Sequence, residues 1–365
     1  MNQPFIPDKL PLKNLDWSAF VELMGKANRY VAKYDGHLLS VINPDVLLSP
    51  LRTQEAVLSS KIEGTQATLE EVMEFEAGHH YKKETKKGDI WEVINYRRAL
   101  IAGRDNMEKR PLSLNGIKRI HKILLQDVRG ESKDPGNFRR IQNWIGTPGS
   151  KVENARFIPP SVPEMNRALD NWEKYLHYDD KDVMVQLAIV HAQFEIIHPF
   201  MDGNGRIGRI LIPLFLFHKG IIHQPVFYMS QYLESNRPQY YDALKGISDN
   251  GDWTSWIIFF LRGIIHQAEK NMQQTRQILA LYDQMKLEMV NNTHSQYAIQ
   301  CLDFIFSQPI FNTTDFQQYS SVPKTSASRL IKSMEENHII ECMEKGSGRR
   351  PSLFTFKKLL KIINE

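Results

Sequence analysis

The chain has 365 residues, 42% hydrophobic and 24% charged, with 46 Lys and Arg against 42 Asp and Glu for a net charge of +4. That length exceeds the roughly 100 to 200 residues of a single domain, so more than one core is implied, each large enough to fold without covalent staples. Two cysteines, Cys301 and Cys342, with no CxxC pair exclude a disulfide framework and a structural zinc module, and a reducing, cytoplasmic compartment is the expectation.

The opening MNQPFIPDKLPLKNLDW has no basic stretch followed by an apolar one, so no cleaved signal is expected. The longest apolar stretches, Ile210 to Phe217 and Trp256 to Ile265, stop at eight to ten residues, well short of the roughly 18 of a membrane span. No membrane partner is expected. Apolar residues three and four apart predict helix over most of Leu15 to Asn291. The exception is Phe138 to Pro160, where alternating runs flank Pro148-Gly149 and predict a β-hairpin, followed by a helix opened by Ser161 and Pro163. Val183 to Ile197 carries a helical stripe that Pro199 cannot continue, and Arg206 to His218 resumes helical spacing before Gly220. Trp253 to about Val290 reads as one long helix, broken at Asn291-Asn292-Thr293. Beyond it, helices over Tyr297 to Phe306, Thr313 to Tyr319 and Pro323 to Asn337 precede a strand-like Ile339 to Phe356 with a Gly346-Ser347-Gly348 tip. That is the order of a winged helix-turn-helix.

The segment dense in chemistry is the turn between two of these helices, His198-Pro199-Phe200-Met201-Asp202-Gly203-Asn204-Gly205-Arg206-Ile207-Gly208-Arg209. Its glycines and asparagine permit positive φ and aim successive N–H groups into one concavity at the positive end of the next helix, which makes an anion cradle. Arg206 and Arg209 share a face near that helix start, where the dipole disfavours cations unless an anion lies between them. Asp202 adds a hard oxygen ligand beside the phosphates, suited to Mg²⁺ held by one carboxylate plus substrate oxygens. His198 supplies a side chain suited to proton transfer near neutrality. Gly203 to Gly208 also spells GxGxxG, but a dinucleotide fingerprint needs a preceding strand and a helix stands there. A zinc site on His191 and His198 fails because seven helical residues span about 10 Å. No GxxxxGK[ST] loop occurs. A glycine-rich helix connector would explain the glycines but not a His, an Asp and two Arg at one turn.

HPFMDGNGRIGR resembles the signature of Fic-domain proteins, His-x-Phe-x-Asp/Glu-Gly-Asn-Gly-Arg-x-x-Arg, at every fixed position. The resemblance runs from about Pro111 to Asn250, and PFIPDKLP with the helices after it is similar to the family's amino-terminal segment. It implies transfer of AMP from ATP to a Ser, Thr or Tyr hydroxyl of a target protein or of the chain itself, with loss of pyrophosphate. His198 would then be the general base and Asp202 would hold Mg²⁺. Gly203, Asn204 and Gly205 would cradle phosphate, Arg206 would orient the triphosphate and Arg209 would grip the γ-phosphate. Ile207 and Gly208 complete the expected ATP-binding stretch, with Asn236 and Tyr240 bordering the adenine, while Phe200 would only pin the loop. The 138 to 160 hairpin would be the family's flap, binding an unknown target as an added edge strand.

Ser59-Ser60-Lys61-Ile62-Glu63-Gly64 matches the family's inhibitory motif, Ser/Thr-x-x-x-Glu-Gly/Asn. Ser59 and Glu63 are four apart on one helix face and Gly64 is a natural stop. By resemblance Glu63 would pair with Arg209 and deny it to the γ-phosphate. From Pro323 to Lys361 basic residues exceed acidic ones by five. Ser326, Ser328, Arg329 and Lys332 would lie on a recognition helix and Arg349-Arg350 on a wing, facing DNA, another protein or a second copy of the chain.

The expected architecture is therefore mainly α. Residues 1–110 form an amino-terminal helical segment with the inhibitory helix, 111–250 a Fic core with its flap, 251–292 a connecting helix and 293–365 a winged helix-turn-helix. Alternative readings of the same residues are an enzyme that removes AMP or moves another nucleotide or phosphate group, and a DNA-binding regulator whose core senses nucleotide.

Overall fold

A computed structural model of the protein describes residues 3–146, 152–348 and 350–365. The expected Pro148-Gly149 turn and Arg349 lie outside the described residues. Two compact units divide the chain: Met1–Asp35 with Leu58–Gly64 and Asn95–Glu269, and Gly36–Val57 with Thr65–Ile94 and Lys270–Glu365.

The helices in chain order begin with α1 (Val21–Leu38), α2 (Pro44–Leu47), α3 (Ser49–Ile62), α4 (Leu69–Glu76) and α5 (Glu84–Met107). Next come α6 (Leu114–Leu124), α7 (Val162–Leu176), α8 (Val183–Ile197), α9 (Asn204–His218), α10 (Ser230–Ser235) and α11 (Arg237–Asn250). Last are α12 (Trp253–Thr293), α13 (Ala298–Ser307), α14 (Thr313–Tyr319), α15 (Lys324–Glu336) and α16 (Lys357–Asn364). Three short strands, β1 (Ile310–Asn312), β2 (Glu341–Glu344) and β3 (Leu353–Thr355), complete the list among the described residues.

The first unit is built around α8. Asp182 caps that helix, accepting from the Met184 and Val185 N–H groups at 2.9 Å each. The run from Met184 to Phe194 is buried on every side, as expected of a helix at the centre of a core. Burial of one such large apolar side chain contributes about 1.5–3 kcal/mol. Two tryptophans fix its position through its backbone: Trp172 Nε1 donates to the Val190 carbonyl at 2.9 Å and Trp256 Nε1 to the Ala188 carbonyl at 2.8 Å. The helices α7 and α9 pack directly on it.

Between α6 and α7 the expected hairpin is present as one antiparallel bridge, Ile145 with Phe157. The Ile145 N–H donates to the Phe157 carbonyl at 2.9 Å and the Arg156 N–H returns to the Ile145 carbonyl at 2.8 Å. Pairing does not extend to the base among the described residues, because Pro159 and Pro160 have no N–H to offer. There a side chain takes over, with Gln142 Nε2 donating to the Pro159 carbonyl at 2.8 Å.

In the second unit the order is α13, β1, α14, α15, β2, β3, α16, with an antiparallel sheet of order β1-β3-β2. Phe311 pairs with Phe354 on one side and Cys342 with Phe354 on the other, and a bulge between Cys342 and Glu344 bends the edge strand. Phe304 holds the layers together, with edge-on contacts to Phe311 and Phe316 at 5.2 Å each. The three helices and the β2–β3 hairpin are those read from the sequence. The three-residue β1 and the closing α16 are additions that alternation over so short a span does not reveal.

Candidate active site

The site is built where α8 stops and α9 starts, both within the first unit. Pro199 forbids another helical turn, and His198 closes α8 in the left-handed region, φ 48° and ψ 60°. A residue with a Cβ resists that conformation by about 1–2 kcal/mol, so its surroundings must hold it. The His198 N–H bonds back to the Phe194 carbonyl at 3.1 Å, and its own carbonyl accepts from Arg139 Nε at 3.0 Å. The ring Nδ1 lies 3.3 Å from the Glu195 carbonyl. A carbonyl only accepts, so Nδ1 carries the proton and Nε2 is left as the basic nitrogen. Burial pushes this imidazole down to about 4, and the Arg139 guanidinium acts in the same direction.

The loop after it is locked by its own residues. The Phe200 N–H donates to Asn204 Oδ1 at 2.8 Å and Asn204 Nδ2 donates back to the Phe200 carbonyl at 2.9 Å. The Asn204 side chain thus ties the turn, and what it presents to an anion is its backbone. Phe200 is fully buried, stacked on His121 with centroids 3.7 Å apart. His121 Nδ1 accepts from the Gly136 N–H at 2.8 Å, which makes Nε2 the donor to the Asp202 carbonyl at 3.0 Å. Burial pushes His121 down to about 4, and it stays neutral in that role.

Asp202 Oδ1 accepts from the Gly203 N–H at 2.6 Å and lies 3.5 Å from Arg206 Nη2, with the side chain 34% exposed. Among the described residues no three His, Cys, Asp or Glu side chains gather to hold a metal. The Asp202 carboxylate, one hard oxygen donor open to solvent, suits an ion that brings most of its oxygens with the substrate. Gly203 takes φ 77° as the cap of α9, and the Ile207 N–H is the first in the helix to bond back, to the Gly203 carbonyl at 3.0 Å. The N–H groups of Asn204, Gly205 and Arg206 precede it and have no intrahelical acceptor.

Glu63 lies beside this helix start. A Cβ on Gly205 would overlap the Glu63 carboxylate, so the acid lies against the glycine's Cα. Arg209, only 1% exposed, donates from Nη2 to Glu63 Oε1 at 2.7 Å. It also donates from Nε to Ser59 Oγ at 2.7 Å and from Nη2 to the Ser59 carbonyl at 3.0 Å. Burial pushes the Glu63 carboxyl up, but Arg209, its hydrogen bond and the neighbouring Arg206 and His198 outweigh this and hold it below the usual range. Gly64 follows with φ +100° and ends the helical segment.

The remaining expected residues make contacts of their own. Ile207 is fully buried in the core and Gly208 is backed by the Glu195 carboxylate, which leaves no room for a Cβ. Tyr240 is buried, and its hydroxyl meets His191 Nε2 at 3.0 Å, while His191 Nδ1 donates to the Gly208 carbonyl at 3.1 Å. Both His191 nitrogens are thereby occupied within the core. Asn236 donates its side-chain amide to the Tyr232 carbonyl at 2.9 Å, closing α10. Tyr241, 44% exposed beside Arg237, is the more open aromatic of this wall. Sequence reasoning missed Arg139, His121, Asn143 and Glu195. Burial pushes the Glu195 carboxyl up to about 7, against the opposing pull of Arg209.

Residues 21–105 match the Fic/DOC family N-terminal description and residues 111–216 the Fic/DOC family description, together more than half of the chain. The chain belongs to the Fic/DOC family. A protein of Aquifex aeolicus named "Probable protein adenylyltransferase" is 38% identical over 210 residues, covering 54% of this chain and 55% of the relative. The protein adenylyltransferase Fic of Drosophila grimshawi is 28% identical over 156 residues, 42% of this chain and 29% of its own. The chain thus spans about half the length of the first relative and under a third of the second. A Fic family protein from Desulfovibrio desulfuricans G20 has the same fold along nearly the whole molecule, with a TM-score of 0.57, 19% identity and 97% and 98% of the two chains covered. Fic-1 of C. elegans follows at 0.55, 21% identity and 72% of each. Among the described residues no helix is long and apolar enough to cross a membrane.

Proposed function

We propose that this Fic protein transfers AMP from ATP to a hydroxyl side chain of a protein and restrains itself through Glu63. The observation that carries the reading is the placement of an imidazole with a basic Nε2 just before the start of a helix whose Arg209 is held by the Glu63 carboxylate. In the step, His198 Nε2 takes the proton of the target hydroxyl. Its oxygen bonds to the α-phosphorus of ATP, and the bond from that phosphorus to the bridging oxygen breaks to release pyrophosphate. The α9 N-terminus and Arg206 hold the phosphates through charge-assisted bonds. Mg²⁺, held by Asp202 and phosphate oxygens, would offset negative charge on the triphosphate. Arg209 is the contested group, since a carboxylate and a terminal phosphate both suit its fork.

The supporting test incubates the full chain with labelled ATP and Mg²⁺. Glu63→Gly is expected to gain label, and the double variant with His198→Ala to lose it. Absence of label in Glu63→Gly, alone and in lysate, with ATP still bound would overturn the transfer reading.

A second surface concerns α15. Lys324, Ser328, Arg329 and Lys332 are exposed along it, which suits a helix read as the recognition element of a winged helix. Against this, Arg350 pairs with Glu344, Lys357 with Glu341 and Lys358 with Glu288. Much of the local positive excess is neutralised in place. DNA contact through α15 predicts a mobility shift that weakens with salt and is lost with Arg329→Ala; no shift at low salt removes DNA as the partner.

A further inference from the structure

Arg139 is 2% exposed and makes no ion pair among the described residues. A guanidinium in that setting is costly unless every N–H finds an acceptor. Here the acceptors are backbone carbonyls drawn from three places. Nε donates to His198 at 3.0 Å, Nη1 to Ile141 at 3.3 Å and Nη2 to Pro160. Ile141 and Pro160 stand at the two ends of the flap segment whose middle pairs Ile145 with Phe157. One side chain thus joins both feet of the flap to the residue that bears the base.

The same stretch continues along the loop. The Arg139 N–H donates to the Pro199 carbonyl at 2.8 Å, and Asn143 Nδ2 donates to the Phe200 carbonyl at 3.1 Å. Three consecutive carbonyls, 198 to 200, are therefore bound from the flap side. The left-handed backbone of His198 needs such restraint, and the most direct hold on its carbonyl is Arg139 Nε. No hydrophobic replacement could serve both feet and the base at once, and lysine, with a single compact head, lacks the planar fork that reaches three directions.

We propose that Arg139 is a positioning residue for the transfer reaction: it locks the flap to the backbone of His198, so that a hydroxyl delivered along the flap arrives in register with the imidazole. The inference rests on the reading of this site as a transferase and adds a residue to it. Burial lowers the Arg139 guanidinium to about 10, so it remains charged at neutral pH and holds all its donors.

The test uses the full chain with Glu63→Gly as parent, carrying Arg139→Lys or Arg139→Met, and Arg139→Gln if Arg139→Met does not fold. Two readouts are taken. In steady-state AMP transfer, Arg139→Lys is expected to lower kcat about 10²-fold, the cost of roughly an ångström of misplacement, with KM for ATP within twofold of the parent. In hydrogen exchange, the Ile145 amide is expected to exchange at least about tenfold faster, with the α8 amides unchanged. A kcat within threefold of the parent, a KM for ATP that rises as kcat falls, or an Ile145 amide that exchanges as before would each overturn the proposal. If the parent itself transfers no AMP, the transferase reading fails on its own. The exchange result then decides whether Arg139 couples flap and base.

Discussion

Two distant stretches of the first unit meet the site at two faces, one at the start of α9 and one at the carbonyls of the loop before it. Residues 59–63 meet the first turns of α9, where Glu63 lies against Gly205 and pairs with Arg209. Residues 139–143 approach the carbonyl side, where Arg139 and Asn143 bind the oxygens of residues 198 to 200. The first stretch brings an acid to donors, and a phosphate can replace it. The second brings donors to acceptors, which no nucleotide phosphate can do. A carboxylate held by a guanidinium can give way to another anion, whereas donors on backbone oxygens cannot, and that separates what can be exchanged from what must stay.

This contrast can be broken from either face. The largest effect is expected at the group between them: in a Glu63→Gly background, His198→Ala should lower AMP transfer by about 10² to 10⁴, read as labelled AMP per protein. On the exchangeable face, Glu63→Gly alone should raise automodification about 10- to 100-fold, since a hydrogen bond to a charged group is worth about 1.5–3 kcal/mol. Ser59→Ala removes one neutral acceptor of Arg209 and leaves Glu63 in place. An increase of about fivefold is expected, from roughly 1 kcal/mol of lost hydrogen bonding. Transfer by Ser59→Ala equal to that of Glu63→Gly would show that the serine, not the acid, holds the arginine.

The smallest effect is expected from pH. The folded-state value of Glu63 is depressed below its ordinary 4.5, so its contact with Arg209 is full above that value and fades only as pH falls through the folded value. His198 is lowered to about 4 and is neutral over the same interval. The ratio of Glu63→Gly to wild-type transfer should therefore stay constant from pH 8 to 5. The acid limb of the Glu63→Gly profile should lie well below 6.5, the ordinary value of histidine.

The two faces also differ in how far they could be read from sequence. The turn itself was legible, because Pro199 ends one apolar stripe and three glycines open the next, and α8 and α9 begin and end close to where spacing put them. The exchangeable face was legible through family likeness, since Ser59 and Glu63 stand 150 and 146 positions from Arg209 and no local pattern joins them. The fixed face left no mark. Arg139 sits beside a second arginine in Phe138-Arg139-Arg140, and nothing in that run says which of the two turns inward to bind carbonyls. His121 was hidden in the same way, as a helical histidine whose donor and acceptor partners lie 15 and 81 positions away. Asn236 and Tyr240 illustrate the converse. Their helical spacing is plain in the sequence, while the contacts they make, Asn236 with the Tyr232 carbonyl and Tyr240 with a buried histidine, are not.

Gly205 carries a consequence for how this chain could vary. A methyl group at that position would overlap the Glu63 carboxylate, so the bare Cα is what admits the acid beside Arg209. Permanently active descendants are therefore expected to carry changes within residues 59 to 63 that remove the acid, or a side chain at position 205 that displaces it.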